Sequence, residues 1–548
     1  MEKNLKFHLV FWPAVFFLFF FWIGQIPLVS SDEGRFGEIA REMWVSKDFI
    51  VPHFDYIPHI EKPIFAFWLA ALNTGIFGVG SFSARLPSVI SAILGILLTH
   101  FFTRRWFNRK TADFAAVILT TSVGYVLVGR FAIIDMLMTL LMSGALFCLA
   151  SAAIERKPRL YFLAYVFMGL SLITKGLIGV VLPSLIFFVF LLWIKNLGEI
   201  KKMHLGWGVL IIALIFFPWA IAISNREPGF FYRFIIEQHF HRYSSAVFGR
   251  KRPFWFFAPL LVLLAFPWSF FLPAAIFQKN QEMDVTKKKF LKFLICWLAV
   301  IFVFFSIPKS KLPYYILPLC VPLAILVAAW IEKAPEKIFL RTLQAAGVVS
   351  LVVLIMANLY LFLWVKDDRV MALRGLFVAA SLGVGFGVVL TAIFLRRKEY
   401  EKSLFSVAVT LYILLIFIII GMKSLTSYLS TYEEAVQLKA LIKEGDEVAV
   451  FASPDRFSDL SYHLEKRILV VGSDRGTLGE ELKEAKYTED AQKWFPSTDE
   501  FLRLFNTRSG RIYCLMEEKN LPELQHLGLS SYKIIRQGGG KLLISNEI

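Results

Sequence analysis

Two groups of ionisable residues bound one polar stretch of the chain. Ser30-Ser31-Asp32-Glu33-Gly34-Arg35 opens it and His59-Ile60-Glu61-Lys62-Pro63 closes it. Asp32 and Glu33 supply carboxylates that can take a proton or orient a nucleophile, and Arg35 and Lys62 supply cations able to hold a phosphate at the lipid headgroup level. Each also has a plain structural use. Ser30 and Glu33 have the spacing of a helix capping box, acids suit the positive end of a helix, and a lysine at an apolar boundary can snorkel. Position argues for chemistry, because desolvation retunes a pKa at the outer end of a membrane span. Phe36, Ile39, Ala40, Met43 and Trp44 follow at helical spacing and predict an amphipathic helix at the membrane surface.

Further charges stand beside apolar runs: Arg85 in Ser83-Ala84-Arg85-Leu86-Pro87, Asp135 after Arg130, and Lys175 in Thr174-Lys175-Gly176. All are expected at outer span ends, where together they would line a shared cavity, although a lone charge there can be an interface anchor or one half of an Arg130 to Asp135 pair. The turn holding Lys309, Lys311, Tyr314 and Tyr315 adds two cations and two phenols, the tyrosines also being common in the aromatic belt. A second outer stretch carries Arg226, Arg233, Arg242, Arg250, Lys251 and Arg252 against Glu227 and Glu237, and should attract anions. Within it, Glu237, His239 and His241 join Glu61 as candidate ligands of a divalent metal, zinc by residue type, which needs three or four converging groups. The plain alternative is a pair of surface histidines. The chain has no P-loop, HExxH or GxSxG pattern, so nucleotide chemistry has no visible home. Its four cysteines form neither a disulfide framework nor a CxxC pair.

Elements that position these residues must cross a bilayer. The 548 residues are 57% hydrophobic and 18% charged, with a mean hydropathy of +0.62, which excludes an ordinary soluble protein. The net charge of +17 does not argue for nucleic acid, because blocks such as Arg104, Arg105, Arg109, Lys110 and Lys287 to Lys289 separate apolar runs and read as topology signals. Spans are expected at 8–29, 84–102, 113–129, 136–153, 160–174, 177–194, 205–223, 254–277, 291–307, 316–331, 342–365, 371–395 and 404–422, thirteen in all. The first is kept as an anchor, since no cleavage site follows it. The apolar segment Ile64 to Val79 is assigned to the interface or to a re-entrant loop, because only then do the basic blocks share one side with Lys3 and Lys6. That places the N-terminus in the cytoplasm and loops 30–63 and 224–253 outside. Residues 1–422 form the membrane domain. Residues 423–548 form a small outer α/β domain, with a helix at 432–443 and strands at 448–451, 468–471, 512–515 and 541–544.

These motifs together resemble the lipid A aminoarabinose transferases and their relatives the protein O-mannosyltransferases, in the GT-C class of integral-membrane glycosyltransferases. The resemblance runs the whole length and rests on Asp32-Glu33-Gly34-Arg35, Glu61-Lys62-Pro63, Ser83 to Pro87, Asp135, Thr174-Lys175-Gly176 and Lys309 to Pro318. It implies an α-helical polytopic enzyme of the bacterial inner membrane that takes a sugar from a polyprenyl phosphate on the periplasmic side and inverts the anomeric carbon. The acceptor implied is lipid A, and the sugar aminoarabinose or a relative. Asp32, with Glu33, would be the family's first-loop acid; Arg35 and Lys62 would bind the donor phosphate; Arg85, Asp135, Lys175, Arg242, Lys309, Lys311, Tyr314 and Tyr315 would complete the substrate site. Glu61 with His239 or His241 would correspond to the metal site. The alternatives are a protein O-mannosyltransferase-like enzyme and a transporter or flippase of lipid-linked sugars. The odd span count and the one-sided charges weigh against transport.

Overall fold

A computed structural model of the chain describes residues 2–241, 251–277, 283–365, 371, 373–472, 476–478, 482, 488–507 and 510–547. Among them, eight helices are long and apolar enough to cross a membrane, or ten if each of two bent pairs counts as one span. The chain is a multi-pass membrane protein. The thirteen expected segments all fall on helices, but three of these helices are short: the apolar part Lys6–Phe20, Arg159–Lys175 and Ile178–Trp193. Two expected spans are broken: on 113–129, Arg109–Thr121 and Val123–Gly129 meet at 65°, and on 254–277, Phe254–Leu264 and Trp268–Ile276 meet at 109°, the sharper break. Pro267, in the break, has no N–H to continue a helix ladder. The segment read as interfacial holds the 13-residue helix Phe65–Phe77, about 20 Å long and too short for a bilayer core of about 30 Å.

The chain divides into two compact units. The first is Met1–Phe21, Glu61–Phe65 and Ser88–Gly421. Ile134–Ile154 and Pro313–Ile331 each bury 83% of their most apolar window, whereas Glu336–Leu363 and Arg374–Arg396 bury only 11% and 17% of theirs and present apolar side chains outward, as lipid requires. Arg130 donates to the carbonyls of Leu18, Phe19 and Phe21 at 2.5 to 2.9 Å, satisfying the open C-terminal end of the first helix.

The second unit is Trp22–Ile60, Ala66–Pro87 and Met422–Ile548. A two-stranded hairpin, β1 (His53–Phe54) and β2 (Ile57–Pro58), lies in the first loop. The tail folds a five-stranded sheet from β3 (Glu447–Phe451), β4 (Leu469–Val471), β5 (Ile512–Glu517), β6 (Lys533–Gly538) and β7 (Lys541–Ser545), in the order β4-β3-β5-β7-β6. β3 is parallel to β4 and β5, and β7 is antiparallel to β5 and β6. Alternate residues Ala449, Phe451, Leu469, Val471, Ile512, Cys514, Met516, Leu542 and Ile544 share a core with Phe501, Leu502 and Phe505 of helix Thr498–Thr507, as the two-residue period of a strand dictates. β6 escaped the sequence reading because it is an edge strand with no fully buried residue, carrying Lys533 and Arg536.

Helix Asp32–Ser46 packs against helix Asp459–Leu464 of the tail so closely that a Cβ on Gly34 would stand 2.5 Å from the Asp459 backbone nitrogen. Because the obstacle is backbone, the neighbour cannot swing aside. Gly34→Ala should destabilise the protein by about 1 to 3 kcal/mol, read as a lowered midpoint of thermal unfolding in detergent; an unchanged midpoint would contradict this packing.

Candidate active site

The expected capping box does not form. Helix Asp32–Ser46 starts after Ser31 with no side-chain cap; the Ser30 hydroxyl donates instead to Asp459 Oδ1 at 2.5 Å. Glu33 is drawn to Arg85, whose Nε and Nη2 reach its two carboxylate oxygens at 2.8 and 2.7 Å. Arg85 also donates to the carbonyls of Ile23, Ile26 and Pro27 at 3.0, 2.6 and 2.9 Å, and both partners of this ion pair are 3% exposed at the side chain. Glu33 Oε2 accepts from the Val29 N–H as well, at 3.0 Å.

Asp32 and Arg35 are brought together one helical turn apart. Arg35 Nη2 donates to Asp32 Oδ1 at 2.6 Å, while its Nη1 donates to Asp455 Oδ1 at 2.7 Å. The guanidinium is buried and the two carboxylates are about a quarter exposed, so one cation is shared between two accessible acids. Asp455 has no signal in the local sequence pattern, since it lies 420 residues from its partner.

In the other unit, Lys175 pairs with Asp135 and lies 5.1 Å from the Tyr315 ring centroid and 5.9 Å from that of Tyr314, within cation–π range. The local reasons are plain. Asp135 sits in the first turn of helix Ile134–Ile154 and Lys175 in the last turn of Arg159–Lys175, which Gly176 ends at φ 90°; each charge complements its helix dipole. Lys311 is 3% exposed; its ammonium donates to the Pro308 carbonyl and, at 3.4 Å, to that of Arg252, and burial lowers its pKa. Lys309 is exposed, and its carbonyl accepts from the Arg252 N–H at 3.0 Å. Glu61 is buried and Lys62 half-buried. Residues Arg233–His241 form a π-helix carrying Glu237; Arg242 and the side chains of His239 and His241 lie outside the described residues.

The bundle of apolar helices followed by a small α/β tail matches solved structures of the GT-C fold. The chain superposes on ArnT from Cupriavidus metallidurans bound to undecaprenyl phosphate with a TM-score of 0.87, at 24% identity, over 99% of this chain and 98% of that one. It matches the archaeal oligosaccharyltransferase AglB from Archaeoglobus fulgidus with a TM-score of 0.52 and 13% identity, over 95% of this chain and 70% of that one. In sequence, residues 61–221 match the family model of dolichyl-phosphate-mannose-protein mannosyltransferases. The undecaprenyl phosphate-alpha-4-amino-4-deoxy-L-arabinose arabinosyl transferase of Pectobacterium atrosepticum is 35% identical over 322 residues, 58% of this chain and 57% of that protein. A second transferase of that name, from Proteus mirabilis, is 33% identical over 348 residues, 62% of each chain. The chain thus aligns with about three fifths of the length of these curated relatives. The chain is similar to ArnT in fold and to these transferases over part of its sequence.

Removing Arg85 leaves a buried carboxylate without its countercharge, so Arg85→Met should cost about 3 to 5 kcal/mol. Arg105→Met, which breaks the more exposed pair with Glu155, should cost at most about 1 kcal/mol. Equal losses in thermal or denaturant unfolding would refute the distinction.

Proposed function

We propose that the chain is an integral-membrane glycosyltransferase that moves a sugar from undecaprenyl phosphate, or a similar polyprenyl phosphate, to lipid A, with aminoarabinose as the sugar. The observation that carries this is the 33 to 35% identity to transferases named for that donor. The mannosyltransferase family match favours, as second reading, a protein hydroxyl acceptor. The basic blocks support an N-terminus in the cytoplasm of a bacterial inner-membrane protein, with the site and tail in the periplasm.

In the transfer, an acceptor oxygen attacks the anomeric carbon from the face opposite the lipid phosphate. The bond from that carbon to the phosphate oxygen breaks, its electron pair leaves with the phosphate, and the centre inverts. Arg35 and Lys62 neutralise the departing phosphate, the form of charge stabilisation that dominates such steps. A lipid A phosphate is already nucleophilic, so Asp32 orients it; a hydroxyl acceptor would instead give Asp32 its proton. Glu33 and Arg85 hold the loop in place, and Asp455 positions Arg35. The Asp135 to Lys175 pair, Lys309, Tyr314 and Tyr315 offer polar groups to the substrates, and Lys311 shapes their turn. By residue type, Glu61 with His239 or His241 would hold zinc, which when bound would supply a Lewis-acidic charge.

Asp32 and Lys62 should fail in different ways. Lys62→Met removes a charged hydrogen bond worth about 1.5 to 3 kcal/mol, so donor affinity should fall about ten- to two-hundredfold. Asp32→Asn should lower single-turnover transfer while leaving donor binding nearly intact. Normal turnover in Asp32→Asn, or normal donor affinity in Lys62→Met, would remove the role assigned to that residue.

A further inference from the structure

The first loop folds a second acidic group that the transfer step does not use. Glu38, Glu42 and Asp55 are 0%, 2% and 2% exposed, and one carboxylate oxygen from each lies within 4.8 Å of those from the other two. Glu38 is matched by Arg41, which donates to its two oxygens at 2.7 and 2.6 Å. Glu42 and Asp55 are not matched in this way. Glu42 Oε2 accepts from the Tyr56 N–H at 3.0 Å, but Glu42 Oε1 and Asp55 Oδ1 are buried with no hydrogen-bond partner among the described residues. The groups facing the cluster are the guanidiniums of Arg41 and Arg467, the Tyr56 and Tyr462 phenols and the Ser461 hydroxyl, which bonds to Asp55. Three carboxylates against two guanidiniums leave one negative charge in a buried space, which is costly unless something positive joins it.

We propose that Glu38, Glu42 and Asp55 form a calcium-type divalent cation site that ties the β1–β2 hairpin to the first-loop helix. The donor set is all oxygen, which suits a hard cation rather than zinc. Size separates the hard cations. Oxygens at about 2.3 to 2.6 Å from Ca2+ stand up to about 4.6 to 5.2 Å apart across the ion, whereas those around Mg2+, at about 2.0 to 2.1 Å, must come within about 4.2 Å. Separations within 4.8 Å are in reach of the larger shell, and Mg2+ in addition demands near-ideal octahedral geometry and keeps several waters, which a buried trio of carboxylates does not suit.

A divalent cation binds carboxylates in their ionised form and competes with protons for them, so Ca2+ should stabilise the protein more at pH 8 than at pH 5.

The test uses the full chain in detergent, stripped with EDTA and then given CaCl2, MgCl2 or ZnCl2. Equilibrium dialysis with radioactive calcium should find about one saturable Ca2+ per chain. The unfolding midpoint should rise with the logarithm of Ca2+ concentration at pH 8 and hardly at all at pH 5, with a smaller response to Mg2+. The double variant Glu42→Gln, Asp55→Asn should bind no Ca2+, yet without calcium at pH 8 it should melt no lower than the stripped parent, so that lost binding is not lost folding. Absence of saturable Ca2+, equal binding by the double variant, or a midpoint that follows pH alone overturns the proposal, and a Mg2+ response equal to that of Ca2+ overturns the calcium assignment. None of these outcomes depends on the sugar-transfer reading.

Discussion

A guanidinium placed where water cannot reach must find a partner for every N–H, and Arg85 finds five: two carboxylate oxygens of Glu33 and three backbone carbonyls between Ile23 and Pro27. The three carbonyls end the chain's first apolar segment, Glu33 begins the loop helix, and Arg85 belongs to helix Ser81–Trp106. One side chain thus fixes three backbone segments, and its cost when unpaired exceeds that of any exposed ion pair. Asp32 and Arg35 inherit their positions from this anchor, being its neighbours on the same helix.

The tail completes the support. Asp459, fully buried, accepts from the Ser30 hydroxyl on one oxygen and from the Ser430 hydroxyl and Thr431 N–H on the other, at 2.5 to 2.7 Å. Gly34 lets the loop helix come against that residue, and Asp455 takes one side of Arg35. Sequence distance hides this design: a soluble-looking segment some four hundred residues downstream supplies the second carboxylate of the Asp32, Arg35 and Asp455 chain. A tail that buttresses a loop in this way sets where the loop's side chains stand.

What was legible in the sequence was whatever depends on composition and local period. Apolar runs located the helices, short apolar runs located four of the five tail strands, and the charges at helix ends in Asp135 and Lys175 stand where dipoles favour them. Local patterns misled where distant partners outbid them: the Ser30 to Glu33 spacing is that of a capping box, but Asp459 and Arg85 take those side chains. The 109° break near Pro267 was hidden because hydropathy records how apolar a segment is and not its direction. Asp455 and Asp55 carry no periodic signature: Glu38 and Glu42 stand four apart on one helix face, but only the tertiary fold brings Asp55 to them.

The central claim is that this chain joins a lipid-carried sugar to an acceptor. Purified protein incubated in detergent with synthetic undecaprenyl phosphate-aminoarabinose and lipid A, with products resolved by mass spectrometry, tests it directly. The expected products are lipid A carrying one added aminoarabinose and an equivalent of free undecaprenyl phosphate, both strongly reduced with Asp32→Asn. Donor returned intact, with lipid A unmodified by a folded and donor-binding protein, would contradict it.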